Sequence, residues 1–460
     1  MEGKTFEDWL HEDVHDLEDK KYKESFEAYG RRRIKAVELD VLKEARKKNK
    51  DLLISVIGLG PVGVAFTVAA LNAGCTIYGY DYSFERITFL NSVANEKTIL
   101  KEDRNAGLLL KTNKDRLHLS TEYDDALAGS EIKIICVGTD QVYKTITDLS
   151  PYLNQNDIVI IESTLFVPMI DEVVETFKSV GLDPTFDIKL AIVPERIMEG
   201  RFLKNFVEYT KTIGSISPET FYPVSAVYKK LGCETAGPYP PKWVVALKAF
   251  ENATRYSFIA IANMFADIAK KEGIDHTSLI EAMINLRPDM PIMRSGIGIG
   301  GPCIPMAAKK IAEDYPSESF PLTSLIEREK KRQKEISDEI ISILQNNNIA
   351  PDKVAIFGAT YRANGVDKRE SPAMEIIKHI KRAGYNVAVY DPNWKIEPYD
   401  EIVVLNNSVD HLMDDYDAFI VLVGHNEYVD AKFPKTKIFI NLVGSMVSAH
   451  PESRHYRLYK

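Results

Sequence analysis

From Leu52 onward, short apolar runs alternate with longer stretches whose apolar positions recur at helical spacing. The runs LLISVIG, TIYGY, IKIICVG, DIVIIES and DIKLAIV are rich in Ile and Val. Strands of this texture are buried on both faces, so with helices between them they predict a parallel sheet covered by crossover helices. A second, shorter series starts near Lys353 with KVAIFG, YNVAVYD, DEIVVL, DAFIVLV and KIFINL. The chain between the two series reads as almost wholly helical. Its longest piece, from Lys242 to about Glu272, reaches roughly 45 Å at 1.5 Å per residue. The small and apolar residues Ala246, Ala249, Ala253, Ile259, Ala262 and Met264 suit a helix buried between domains. The pattern therefore predicts an α/β chain with two doubly wound domains joined by a long central helix. Its expected segments are 1–50, 51–240, 241–335 and 336–460.

Residues 1–50 differ from the rest. They hold 13 acidic and 13 basic residues, the acidic ones mostly before Gly30 and the basic ones mostly after it. Ile34, Val37 and Val41 sit at helical spacing and predict a partly helical, charged extension without chemistry of its own. A length of 460 residues calls for two or three domains. A formal charge of −9 argues against a sequence-independent grip on nucleic acid, which needs a basic face. No apolar run approaches the roughly 20 residues that span a bilayer, and the first residues lack a signal-peptide pattern. Cys75, Cys136, Cys233 and Cys303 are widely spaced with no C-x-x-C pair. That spacing fits a reducing cytoplasm and neither a disulfide framework nor a metal site.

The stretch ISVIGLGPVGVAF gives Gly58-x-Gly60-x-x-Gly63, with Val62 inside the motif, between a predicted strand and a predicted helix. The first glycine permits the tight turn, the second lets backbone approach a pyrophosphate, and the third lets helix pack on strand. Pro61 suits the first helical turn, and free N–H groups there meet phosphates. Asp81 ends the next strand 21 residues after Gly60, where a carboxylate takes ribose hydroxyls and repels the extra phosphate of NADP. The expected cofactor is therefore NAD in a Rossmann-like domain. Arg86, a helical turn after Asp81, is a further cofactor candidate that points the other way.

Further chemistry gathers in three places. GIGIGGPCIP puts Cys303 behind Gly296, Gly298, Gly300 and Gly301 at the head of a predicted helix, a setting that favours a thiolate nucleophile. Lys248 and Asn252 are four apart and share a helix face, where the lysine stabilises an alkoxide, acts as a base, or snorkels beside Glu251. PERIMEGR places Glu195 and Glu199 on one face after a strand, and Ser163-Thr164 lies at the ligand-binding edge of the sheet.

Taken in order, GLGPVG, ICVGT, EST, PERIMEG, the Lys248-x-x-x-Asn252 helix, GGPCIP and GATYRANGVDKRESPAMEI resemble the UDP-glucose/GDP-mannose dehydrogenase family from about Leu52 to the C-terminus. PER, CIP and GHNEY are more similar to its UDP-N-acetylhexosamine branch. The resemblance implies two NAD-dependent oxidations of a nucleotide-sugar C6 alcohol to a carboxylate, through an aldehyde and a Cys303 thioester. It implies Lys248 and Asn252 as oxyanion stabilisers, and Glu195 or Thr164 as the group positioning water. Thr139, Thr164, Glu199 and Arg369 would line the cofactor site. Glu195, Arg196, Lys248, Asn252, Arg255, Gly301 and Arg362 would contact the nucleotide sugar. Members pair through the central helix, so a cytoplasmic homodimer serving polysaccharide assembly is implied. The pattern breaks at Ala307, where the family carries aspartate, and at Pro302, where it carries serine or histidine. Asp289 aligns with the family's arginine, Arg287 or Arg294 being possible substitutes, and INLV at 440–443 replaces an acid-and-arginine pattern. Ala307 keeps open a single oxidation or reaction at another sugar carbon, and the charged arm keeps open a non-catalytic sensor.

Overall fold

The computed structural model describes residues 52–127, 129–198, 200–393, 403–404, 415–429, 431, 433, 435–443 and 450–458. The chain divides into two compact units, Met1–Val245 and Ala246–Lys460. The first is built on an eight-stranded sheet. Its strands are β1 (Leu53–Ile57), β2 (Thr76–Tyr80), β3 (Leu117–Ser120), β4 (Ile132–Ile135), β5 (Ile158–Ile161), β6 (Lys189–Ile192), β7 (Lys211–Ser215) and β8 (Thr235–Tyr239). They lie in the order β3-β2-β1-β4-β5-β6-β7-β8. All neighbours pair parallel except β6 with β7. The order reverses between β1 and β4, which opens a crevice at the carboxyl ends of the strands. Helix α1 (Pro61–Asn72) leaves β1 at that point and is buried along Gly63–Leu71.

The second unit carries a six-stranded, wholly parallel sheet. Its strands are β9 (Val354–Phe357), β10 (Val387–Tyr390), β11 (Val403–Val404), β12 (Ala418–Val421), β13 (Ile438–Asn441) and β14 (Arg454–Arg457). The order β11-β10-β9-β12-β13-β14 is the doubly wound order 3-2-1-4-5-6. Ahead of it come α2 (Pro241–Lys271), α3 (His276–Leu286), α4 (Cys303–Asp314) and α5 (Phe320–Asn346), while α6 (Pro372–Arg382) follows β9. Helix α5 packs into the apolar core of the sheet through Ile336, Ile340 and Leu344.

Every apolar run named above contains a strand, and α2 occupies the stretch read as the central helix. Four strands lack that signature. Strand β3 is the short LHLS, and β7 carries Lys211 and Gly214. Strand β8 is an edge strand with Gly237 and Pro238, and β14, RHYR, is an edge strand of polar residues. Edge strands are covered on fewer sides and need no continuous apolar run. Among the described residues no helix is long and apolar enough to cross a membrane.

Candidate active site

In the first unit the glycine turn follows from sterics. Gly58 has φ +90°, and a Cβ there would come within 2.6 Å of the Cys136 carbonyl oxygen. A Cβ on Gly63 would lie 1.9 Å from the Gly58 carbonyl oxygen. Gly60 differs: nothing lies within 4 Å of its would-be Cβ, and it starts α1 without a side-chain cap. Open space beside an uncapped helix N-terminus fits a pyrophosphate. Val62 lies half-buried in the first turn. Asp81 accepts the Leu59 N–H through Oδ2 at 2.8 Å and the Ser83 N–H through Oδ1 at 3.0 Å. Each oxygen keeps a further lone pair for a ribose hydroxyl. Arg86 donates from Nε to the Leu59 carbonyl at 2.8 Å and from Nη1 to Glu102 at 2.9 Å. It braces the turn, a role that spacing alone does not reveal.

The loops after β4 and β5 are tied together. Thr139 Oγ1 donates to the Thr164 carbonyl at 2.8 Å, and Ser163 Oγ donates to the Val137 carbonyl at 2.8 Å. Beneath them lies a buried ionisable cluster. Tyr228 donates its hydroxyl to Glu162 Oε1 at 2.6 Å, and Cys136 Sγ approaches Glu162 Oε2 at 3.6 Å. Burial, then repulsion from Glu195, pushes the Glu162 carboxyl well up, with Lys211 opposing. Lys211 pairs directly with Glu195 Oε2, and its ammonium lies 3.5 Å from the Phe206 ring centroid. Glu195 Oε1 accepts the Arg196 N–H at 2.7 Å, and Arg196 Nη1 donates to Thr212 at 3.3 Å. Lys211 and Glu162 went unassigned in the sequence. Lys211 opens the mixed strand KTIGS, which marks it in no way along the sequence. Glu199 lies outside the described residues.

In the second unit Cys303 is exposed and opens α4. Gly301 has φ +85°, and a Cβ there would come within 3.0 Å of the Tyr361 ring. Lys248 and Asn252 are both buried on α2, and the Asn252 amide nitrogen has no hydrogen-bond partner within the protein. One turn further, Tyr256 packs with Ile299 of the glycine loop and Ala308 of α4. Lys248 and Asn252 precede Tyr256 at four-residue steps along α2. Arg255 is exposed. Ala307 is buried, one turn from Cys303 on α4. Arg287 and Asp289 pair with each other on the surface at 2.8 Å.

The β9 turn repeats the device seen at β1. Gly358 has φ +89°, and Asp391 Oδ2 accepts the N–H groups of Ala359 at 2.8 Å and Thr360 at 3.1 Å. His425 Nδ1 accepts the Asn364 N–H at 3.1 Å, and its Nε2 lies 3.1 Å from Asp391 Oδ2. These bonds hold the loop that carries Arg362. Arg369 grips Asp367, with Nη2 at 2.6 Å, and stays largely exposed. The first unit thus offers a dinucleotide cradle, and the second carries an exposed thiol on α4 and a buried lysine and amide on α2.

Three domains of the UDP-glucose/GDP-mannose dehydrogenase family match the chain: the NAD binding domain at 52–232, the central domain at 245–332 and the UDP binding domain at 355–444. The UDP-N-acetyl-D-mannosamine dehydrogenase of Methanococcus vannielii is 28% identical, over 85% of this chain and 90% of that relative. The UDP-glucose 6-dehydrogenase of Rickettsia bellii is 25% identical, over 88% of this chain and 98% of that relative. The fold matches the UDP-D-ManNAc dehydrogenase structure from Pyrococcus horikoshii with a TM-score of 0.76 at 23% identity, over 88% of this chain and 99% of that one.

Proposed function

Because the chain belongs to the UDP-glucose/GDP-mannose dehydrogenase family, we propose that it oxidises the C6 alcohol of a UDP-N-acetylhexosamine to the uronate with two NAD. The observation that carries this reading is the exposed Cys303 at the head of α4, in a unit that also buries Lys248 and Asn252 on α2. The relatives named UDP-N-acetyl-D-mannosamine dehydrogenase favour UDP-N-acetylmannosamine among such sugars.

NAD supplies the acceptor for two hydrides when bound. Gly58, Gly60, Val62 and Gly63 give it a close backbone approach, Asp81 takes the ribose hydroxyls, and Thr139 and Thr164 line the same edge. In the first oxidation C6 loses a hydride and its hydroxyl loses a proton, leaving an aldehyde. The Cys303 sulfur adds to that carbonyl, and the oxyanion is held by the Lys248 ammonium and the Asn252 amide N–H. Loss of a second hydride and the hydroxyl proton gives a thioester. Water then adds, releasing the carboxylate and returning the thiol. Glu195, held by Lys211, orients that water, while Arg196, Arg255, Gly301 and Arg362 contact the nucleotide sugar. Arg369 completes the cofactor contacts.

Phe250, Phe265 and Ile268 of α2 and Leu279 and Leu286 of α3 are exposed, an apolar set that supports a homodimer through the central helices. Four free thiols suit a reducing cytoplasm. The test is to incubate the protein with NAD and a panel of UDP- and GDP-sugars and count NADH formed per sugar consumed. Two NADH and a uronate support the proposal. One NADH means a single oxidation, the alternative that Ala307 keeps open, and binding without turnover means a sensor. Cys303→Ser blocks acid formation, and undiminished uronate production overturns the covalent route.

A further inference from the structure

The second unit contains a cavity of about 600 Å³ outside the residues assigned above to catalysis. Its walls come from α2 at Tyr256, α4 at Pro305, α5 at Glu329 and Gln333, and the start of α6 at Ser371. It opens on a different side of α4 from the nucleophile. At about 100° per residue, Pro305 and Lys309 lie roughly 200° and 240° around the helix from Cys303, whereas Ala307 lies roughly 40° away. Neither Cys303 nor Arg362 lines it, and of the residues assigned above only Arg369, a proposed cofactor contact, reaches its rim.

Two buried polar atoms in this wall have no hydrogen-bond partner within the protein. Glu329 is 3% exposed and Ser371 is 2% exposed, yet Glu329 Oε1 and Ser371 Oγ are both unsatisfied. Leaving such groups unpaired costs roughly 1–3 kcal/mol each, so they mark places where a ligand's own hydroxyls fit. Ser371 begins α6, an 11-residue helix, but its side chain caps no N–H, so that helix end faces the cavity uncapped. The rim carries Lys309, Lys330, Lys368, Arg369 and Lys378 against the carboxylates of Glu370 and Glu375. Lys309 and Lys378 bond to those two carboxylates and Arg369 to Asp367, and with Glu329 counted the lining holds five cations to three carboxylates. Cations are disfavoured there, and an anionic group is welcome.

The cavity also touches the loop that presents the thiol. Glu329 Oε2 accepts from Asn263 Nδ2 at 2.9 Å, and Asn263 Oδ1 accepts the Gly296 N–H at 2.8 Å. Arg332 Nη1 holds the Gly296 carbonyl at 2.6 Å. Gln333 lies so close to Gly298 that a Cβ there would come within 2.8 Å of its Nε2. A ligand bonded to Glu329 and Gln333 therefore pulls on both ends of Gly296–Gly298.

We propose that this cavity is a second ligand site, which binds a small polyhydroxylated anion, a sugar phosphate or sugar acid, and transmits its occupancy to the glycine loop before Cys303. Hydroxyls meet Glu329, Gln333 and Ser371, and the anionic group meets the rim and the α6 N-terminus. Only the coupling to the thiol rests on the function proposed above; binding is read without turnover, so the two ideas fail separately.

The test uses the full chain titrated by calorimetry with glucose 1-phosphate, glucuronate and inorganic phosphate. One sugar phosphate or sugar acid should bind per chain, and saturating UDP should not displace it. Ser371→Ala and the rim change Lys330→Ala, which cannot disturb the core, should each weaken binding about fivefold or more. Saturation should change the rate of Cys303 alkylation by iodoacetamide at least about twofold. The glucose 1-phosphate and glucuronate arms tell phosphate from carboxylate as the anionic group. Absence of binding up to about 10 mM, displacement by UDP, or inorganic phosphate binding as well as the sugar phosphate overturns the site. An unchanged alkylation rate at saturation overturns the coupling.

Discussion

Gly60 and Gly63 lie in one turn, yet the same change to alanine should act on different properties. At Gly63 the new methyl would sit 1.9 Å from the Gly58 carbonyl oxygen, less than a van der Waals contact by more than about 1 Å. The obstacle is backbone, so helix and strand must separate, at a cost of about 1–3 kcal/mol. For a unit of this size that lowers the unfolding temperature by roughly 2–10 °C. At Gly60 φ is −67° and ψ −171°, an extended conformation open to any residue, and nothing lies within 4 Å. Gly60→Ala should leave the unliganded protein within about 0.5 kcal/mol of wild type. The methyl then occupies space left for the pyrophosphate. Losing one charge-assisted hydrogen bond at the α1 N-terminus costs about 1.5–3 kcal/mol, so the NAD dissociation constant rises roughly 10- to 150-fold. Thermal unfolding with and without NAD reads both effects, because saturating ligand at about 100 times Kd adds about 2.7 kcal/mol. If Gly60→Ala binds NAD within about twofold of wild type, the pyrophosphate does not rest on this turn.

Three other perturbations probe buried charges. Burial pushes the Asp391 carboxyl up, but the His425 hydrogen bond and charge and the N–H groups of Ala359 and Asn393 outweigh it and hold it down to about 2. A carboxyl depressed from 3.8 stabilises the fold above pH 4 and loses that contribution as pH falls toward 2, about 2 kcal/mol in all. Asp391→Asn should flatten urea stability across this range, and an unchanged acid limb refutes the assignment. Burial pushes the Glu329 carboxyl up to about 7 from 4.5, with Arg332 and Asn263 opposing. The folded state then binds the proton more tightly, so stability is highest below pH 4.5 and declines as pH rises through 7, by up to about 3 kcal/mol. Glu329→Gln should remove that decline, as read by denaturant melts at pH 5 and 8. Lys211→Met leaves Glu195 buried without its cation and should cost about 3–5 kcal/mol, while adding Glu195→Gln should recover part of it; equal losses in both variants would mean the ion pair is not the cause.

The sheets were legible because strands covered on both faces need unbroken Ile and Val, as in IVII of β5 and VAIF of β9. β14 escaped because RHYR is an edge strand with no such requirement. The cofactor turn was legible for a related reason: Gly58 and Gly63 are the residues that the backbone contacts allow, so geometry leaves a mark on residue type. The Glu195–Lys211 pair leaves none. Its partners come from the loop after β6 and from the antiparallel β7, and spacing along the chain does not bring them together. Glu329 is similar. On α5 it reads as one more charge in EREKKRQKE, and only packing against Asn263 distinguishes it.

Ala307, which stands where the resemblance leads one to expect an aspartate, bears on one half of the proposed reaction and leaves the other intact. Alcohol oxidation needs the dinucleotide cradle, the Lys248 ammonium and the Asn252 amide, none of which involves α4 beyond its first residue. Thioester formation adds only Cys303. Hydrolysis is different, because water must lose a proton as it attacks. A methyl at position 307, buried one turn from the thiol, accepts no proton. Glu195 is then the remaining carboxylate assigned to that task, and its two oxygens are already engaged by the Lys211 ammonium and the Arg196 N–H. Hydrolysis is therefore the step expected to limit turnover. The thioester should accumulate after a rapid release of two NADH, and its decay should quicken with hydroxide concentration more steeply than in a site with a dedicated aspartate.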